Sequence, residues 1–470
     1  MKIKKQILIL ILVFFNFSYS LLGQNSFGTI RYYDLAIKID YKKKKIFNKA
    51  EITIINESNK EIAVIPLILY RLLKVNSISI DNKPIKFYQQ IKSFKDFEVL
   101  QVNEINLKLD KPILKGNSVK IIMEYEGTLL GYAETGMSYI KDHIDLNFTI
   151  LRPDCLSYPI LGYPEFSTIK SISLQNFEYE IKLNIPNNLC AVNGGILTNK
   201  VTKKGYTTYT FKSSKPTYQM VTAIADYKKL ETENISTYYF EKDSTEAKKV
   251  HRVLLNTFEL YSKWWGKLNN KNTFSLIEIP DNYGSQATES YVIQTAAAFN
   301  NPDQLMQLYH EISHLWNVKS TNKYPSRWNE GLATFIQYKT VDKLENRNVL
   351  NTEIIKVYES IKKNKNYRKK AFINYGKENV TDRSYKTGFI FFYVLHNVVG
   401  ENKFNQIIRT FYQKYSNSGA TIKEFENLAT KVSNRNLSNL FNDWFYTTNF
   451  YYNLKENIPI SKIVESYNLN

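Results

Sequence analysis

The sequence predicts an α+β chain in two parts, an N-terminal antiparallel β domain followed by a mainly α domain. Three observations predict it. From about Gln24 to Tyr227, apolar and polar residues largely alternate, the period of a half-buried strand. Composition shifts near residues 228–244, and beyond it apolar residues recur at helical spacing. The chain has 470 residues, 43% hydrophobic and 14% aromatic, which suffices for large cores and excludes a wholly disordered or collagen-like polymer. Formal charge is +19, with Lys far exceeding Arg. No nucleic-acid reader motif accompanies that charge, so no nucleic-acid partner is expected.

Residues 1–23 read as a targeting segment. Met1–Lys5 is basic and Gln6–Phe15 is apolar, too short and too close to the start for a membrane span. Ser18–Ser20 or Gly23-Gln24 offers a cleavage site. No Cys follows the apolar run, so no lipid anchor is expected. No later stretch is long and apolar enough to cross a bilayer. The protein is therefore expected to be exported, to a periplasm, the cell surface or the medium. Cys155 and Cys190 are the two cysteines and form no disulfide framework; one bridge or two free thiols both fit.

The β domain is expected over 24–230, as a sandwich or a saddle-like twisted sheet. Leu35–Asp40, Glu51–Ile55, Val119–Tyr125 and Phe177–Leu183 carry the strand pattern, and Val75–Ile80 runs into the turn Asp81-Asn82-Lys83-Pro84. Thr245–Trp265 then reads as a helix, with Val250, Val253, Leu254, Phe258 and Tyr261 on one face. Thr273–Ile279 reads as a strand closed by Pro280–Gly284. Asn301-Pro302-Asp303 opens the next helix, with Pro at its first position. Further helices are expected at about 350–363, 385–398, 403–415 and 421–432. This second domain is expected over 231–455, with a C-terminal tail at 456–470.

The chemistry sits on the helix that Asn301-Pro302 opens. Tyr309-His310-Glu311-Ile312-Ser313-His314 puts two imidazoles one helical turn apart on one face. Both can reach one metal ion, and Glu311 beside them can meet a water activated there. This is the H-E-x-x-H zinc-hydrolase pattern, in a chain with five histidines in all. A third ligand is needed. Glu330, near the start of a second apolar helix in Trp328–Phe335, supplies a carboxylate. Two imidazoles, one carboxylate and an open position suit catalytic zinc, one ion per chain. Glu311 is then the general base and later the proton donor to a leaving amine.

His310–His314 followed by Asn329-Glu330-Gly331 resembles the aminopeptidase N family of gluzincins, peptidase family M1. Its signature is H-E-x-x-H, a spacer, then N-E-G; the spacer here, Leu315–Asn329, is shorter than is usual in that family. Asp382-Arg-Ser-Tyr385-Lys386-Thr387-Gly388 resembles the family's Y-x-K-G helix start with the Lys one place early, which implies Tyr385 as the hydroxyl supporting the oxyanion. Gln286-Ala-Thr-Glu289-Ser290 stands where the family has G-A-M-E-N, which implies that Glu289 binds a free α-amine. Tyr33–Asp40 resembles the start of the family's β domain, Ala223–Lys229 its last strand, and Leu440–Phe445 the end of its catalytic domain. No Gln-x-Glu stands near 145–152 to supply a second amine-binding carboxylate. The resemblance implies a thermolysin-like zinc catalytic domain in a short form without the family's large C-terminal helical domain, acting on peptides with no obligate protein partner. The expected reaction is release of N-terminal residues. His314–Lys319 is also similar to the glycyl aminopeptidases. The alternatives are glycyl-aminopeptidase-like activity, internal cleavage, or a scaffold that no longer catalyses.

Overall fold

A computed structural model of the chain describes residues 27–132, 140–165, 168–169, 172, 175–268, 274–287, 290–322, 324–378 and 380–468. Residues 1–23, the expected targeting segment, lie outside the described residues.

Alternation becomes sheet as expected. An eight-stranded sheet runs in the order Ile196–Lys203, Tyr206–Lys212, Glu178–Pro186, Thr29–Asp40, Lys45–Ile55, Ser118–Gly127, Leu73–Ile80, Lys83–Pro84. Neighbours are antiparallel except Thr29–Asp40 with Glu178–Pro186, which pair in parallel. In Lys45–Ile55 every second residue is buried, as period two demands of a sheet with one face on the core. A four-stranded sheet packs on that face; its Ile65, Leu67, Val102 and Ile105 share a core with Ile37, Ile39, Ile46 and Ile52. Cys155 and Cys190 are free thiols.

A three-stranded sheet of Cys190–Asn193, Thr222–Ala225 and Thr149–Leu151 joins the two halves. Its Ile150, Val192, Ala223 and Ala225 pack against Tyr227, Ile277, Ile279 and Ile293 of the next sheet, closing one apolar interface. The run 223–229 is thereby divided at Asp226: Thr222–Ala225 stays with the β half, while Tyr227–Thr232 opens a five-stranded sheet of the second half. That sheet continues Ile235–Phe240, Phe274–Ile279, Tyr291–Thr295 and, at its edge, Gln286–Ala287. Only its central strand is plain in the sequence.

The helices follow the apolar period closely. Those of twelve residues or more among the described residues are α1 (Ser244–Trp265), α2 (Pro302–Ser313), α3 (Trp328–Leu344), α4 (Leu350–Lys363), α5 (Ser384–Val399), α6 (Glu401–Tyr415) and α7 (Ile422–Ser433). Thr421 and Glu424 form a capping box at the start of α7. The segment set apart as a tail adds a helix, Ile460–Asn468, whose Ile463 is buried in the same core. Among the described residues, no helix is long and apolar enough to cross a membrane.

One buried acid in this frame carries a pH prediction. Glu278, on the central strand of the five-stranded sheet, is fully buried. It accepts a hydrogen bond from the Phe240 N–H at 2.8 Å. Burial, and the Asp243 carboxyl beside it, push its pKa up to about 8. A raised carboxyl pKa means the folded state binds the proton more tightly than the unfolded chain does. The stabilisation is complete below about pH 4.5 and disappears as pH rises through 8. Glu278→Gln keeps the shape without the charge. Its melting temperature should therefore decline less between pH 6 and pH 9 than that of the wild type. Parallel slopes in thermal melts would contradict this reading.

Candidate functional site

Two devices set the position of Glu330. Trp328, at the first position of α3, is buried among Phe392, Phe411 and Phe425, its ring 5.2 Å from that of Phe425. That anchor turns the opposite face of the first helical turn, with Glu330, toward α2. The second device is a backbone contact. A Cβ on Gly331 would lie 2.4 Å from the Cα of Gly388 on α5. The two glycines let α3 and α5 touch, which brings Tyr385 alongside Glu330. Ser384 Oγ also donates to the Ser326 carbonyl, tying the start of α5 to the loop before α3.

The pair of histidines departs slightly from the expected helix. α2 ends at Ser313, and His314 begins a tighter 3-10 turn to Trp316. The imidazoles still share a face, with ring centroids 4.8 Å apart. Glu330 Oε2 lies 3.3 Å from His310 Nε2 and 3.4 Å from His314 Nε2. One ligand atom from each residue falls within 4.8 Å of the others. Tetrahedral zinc with bonds of about 2.1 Å separates its ligands by about 3.4 Å, so this donor set fits zinc in type and spacing. Burial alone would raise the pKa of Glu330, but hydrogen bonds from both histidines and the charge of Arg327 outweigh it and hold the carboxyl well below the usual range. The side-chain amide of Asn317 lies 2.5 Å from His314 Nδ1 and orients that ring from behind.

Glu311 is half-buried and lines a cavity of about 360 Å³ with His310, Tyr385, Gln337, Tyr338 and Phe389. Tyr385 lies across His310, its ring nearly parallel at 6.2 Å. Burial, then the negative charge of Glu330, pushes its pKa up to about 12, so the hydroxyl stays protonated at neutral pH and can donate. Glu289 lies outside the described residues.

The sequence reading missed four side chains here. Arg327 donates to Glu330 Oε1 at 2.8 Å and to the Tyr385 hydroxyl at 3.3 Å. Asn317 orients the His314 ring. Asp154 and Tyr218 stand on the connections that flank the strands Thr149–Leu151 and Thr222–Ala225, so the three-stranded sheet carries them in from the β half. Tyr218 is half-buried; desolvation first, then the charges of Glu311, Asp154 and Glu330, push its pKa up to about 12. Asp154 accepts from Gln286 Nε2 at 3.0 Å, while Gln286 Oε1 is buried with no hydrogen-bond partner among the described residues. Arg152 makes a buried bidentate pair with Asp142 and also lies 3.9 Å from Asp154 Oδ2. No motif announces these residues: Asn317 and Arg327 lie three positions from His314 and Glu330, while Asp154 and Tyr218 reach the site only through long-range packing.

Residues 288–444 match the model of the peptidase family M1 domain. No curated protein matches the chain. Among solved structures, the fold is similar to an M1 zinc metallopeptidase from Deinococcus radiodurans, with TM-score 0.63 and 13% identity over 89% of this chain and 94% of that one. A mutant of a Deinococcus radiodurans M1 zinc metallopeptidase bound to a Tyr-Ser-Ala substrate matches at TM-score 0.62, 13% identity and the same coverage. A two-domain M1 zinc metallopeptidase mutant bound to L-arginine matches at TM-score 0.61 and 13% identity, over 88% and 94%. At this identity the likeness is one of fold.

Proposed function

Because the chain carries a peptidase family M1 domain, in the aminopeptidase N group that its motifs resemble, we propose that it is a zinc-dependent peptidase that removes residues from the N-termini of peptides. The observation that carries the proposal is the convergence of His310, His314 and Glu330 on one point, with Glu311 facing the adjoining cavity. These three residues hold the zinc. Bound zinc supplies Lewis acidity, which makes water a nucleophile near neutral pH and polarises the scissile carbonyl. Glu311 accepts the proton released by the attacking water and passes it to the departing amine. Tyr385, protonated across the working range, donates to the oxyanion. The leader at 1–23 supports action outside the cytoplasm.

Selection of a free N-terminus needs an anionic anchor. Glu289 is one candidate, from its place in the Gln286–Ser290 run. Asp154 is a second, and stands in for the missing Gln-x-Glu. Its carboxylate offers an ammonium an acceptor, beside a Gln286 Oε1 that has no hydrogen-bond partner among the described residues. The test is a pair of aminoacyl reporters, one with a free amine and one acetylated. Free-amine substrate should be cleaved at least about tenfold faster, the value of one charge-assisted hydrogen bond. Asp154→Asn should cut kcat/KM for the free-amine substrate by roughly 10–100-fold and leave the acetylated one unaffected. Equal cleavage of both reporters by the wild type would reject the exopeptidase reading in favour of internal cleavage.

A further inference from the structure

We infer that Arg327 is a positioning residue of the zinc centre, holding Glu330 by one oxygen so that the other faces the ion, and steadying the Tyr385 hydroxyl with the same guanidinium. The inference rests on the reading of Glu330 as a zinc ligand. Glu330 divides its two oxygens cleanly: Oε2 faces both histidines, and Oε1 accepts from Arg327 Nη2 at 2.8 Å. The same Nη2 lies 3.3 Å from the Tyr385 hydroxyl, and the guanidinium carbon stands 5.7 Å from the Tyr385 ring centroid. One group thus touches both the ligand and the proposed oxyanion donor. A carboxylate held at one oxygen cannot rotate to chelate with both or swing off the ion.

The backbone supplies an independent observation. Arg327 has φ of 53° and ψ of 38°, the left-handed region that Gly or Asn adopts more readily. It also occupies the position before the first turn of α3, where no side chain caps the helix. Neither local backbone preference nor capping favours arginine here. An arginine in this backbone region, with its side chain spanning two functional groups, fits a role for that side chain.

Arg327→Gly removes the guanidinium while relieving the backbone, so it separates loss of function from loss of fold. It should melt no lower than the wild type. Its zinc affinity, measured by competition with a chromogenic chelator, should fall 10–100-fold, about the loss expected when a group supporting a ligand is removed. At saturating zinc, kcat should drop at least about tenfold while KM changes less than threefold, because the contact acts on the transition state. Arg327→Lys restores one charge without the fork and should recover part of the zinc affinity. The inference is overturned if Arg327→Gly keeps both zinc affinity and kcat within about twofold. It is overturned equally if zinc affinity holds while KM alone rises, since Arg327 would then be a substrate contact. A wild-type protein that binds no zinc overturns the underlying peptidase reading instead, and is recognised before any variant is made.

Discussion

Glu311→Gln is expected to keep zinc at one ion per chain and to lose turnover by roughly 10²–10⁴-fold, the range removed with a positioned general base. The two effects separate because Glu311 is not among the converging ligand atoms, which come from His310, His314 and Glu330. The amide preserves the volume of the side chain in the cavity it shares with His310 and Tyr385. What it loses is the ability to take a proton from water and return it to the leaving amine. Metal analysis with steady-state kinetics on a free-amine reporter decides the matter. A variant with full zinc and undiminished kcat would mean that the base lies elsewhere, and Tyr218 and Asp154 would be the next side chains to test. A variant that loses its zinc would instead move Glu311 into the coordination shell.

Gly331→Ala is expected to damage stability and activity together. The added methyl would sit 2.4 Å from the Cα and 2.6 Å from the carbonyl carbon of Gly388, and 2.9 Å from the Phe389 nitrogen. All three are backbone atoms, so no rotamer change relieves the clash, and α3 must move off α5. Overpacking of a well-filled core costs about 1–3 kcal/mol, and a backbone-to-backbone contact belongs at or above the top of that range. A fall in melting temperature of roughly 6–12 °C follows for a domain of this size. The displacement also parts Glu330 from Tyr385, so the folded fraction should lose activity. A melting temperature within about 2 °C of the wild type would show that the helices separate without strain, contrary to this account.

Legibility from the sequence tracked how local each cause was. α4 is read at its observed bounds and α1, α5, α6 and α7 within two residues, while α2 was read at its start alone and α3 runs on to Leu344 past the Trp328–Phe335 stretch, because a helical stripe and an N-terminal signal such as Asn301-Pro302 act over a few residues. Strands with clean alternation, such as Lys45–Ile55 and Ser118–Gly127, were legible for the same reason, while Ile62–Tyr70 and Phe97–Ile113 were not read. The edge strand Gln286–Ala287 was not, because two residues have no period to display. Nor was the parallel pairing of Thr29–Asp40 with Glu178–Pro186, since partners far apart in sequence leave no mark on either strand. Within the site, His310, Glu311 and His314 were legible through helical spacing. Glu330 was legible as an acid at the start of the next apolar helix, and Tyr385 needed the family resemblance. Arg327, Asn317, Asp154 and Tyr218 were invisible to both.

By itself, then, the sequence determined which chemistry was available: two imidazoles and an acid at helical spacing, a second acid opening another helix, and a strand-rich half ahead of them. Only the tertiary structure decided what surrounds that chemistry. Gly331 against Gly388, the Arg327 bridge and the approach of Asp154 are contacts between segments up to some 130 residues apart. Spacing along a helix is set by backbone geometry that every sequence shares. Contacts between distant segments depend on how whole surfaces pack, and no short stretch of chain encodes them.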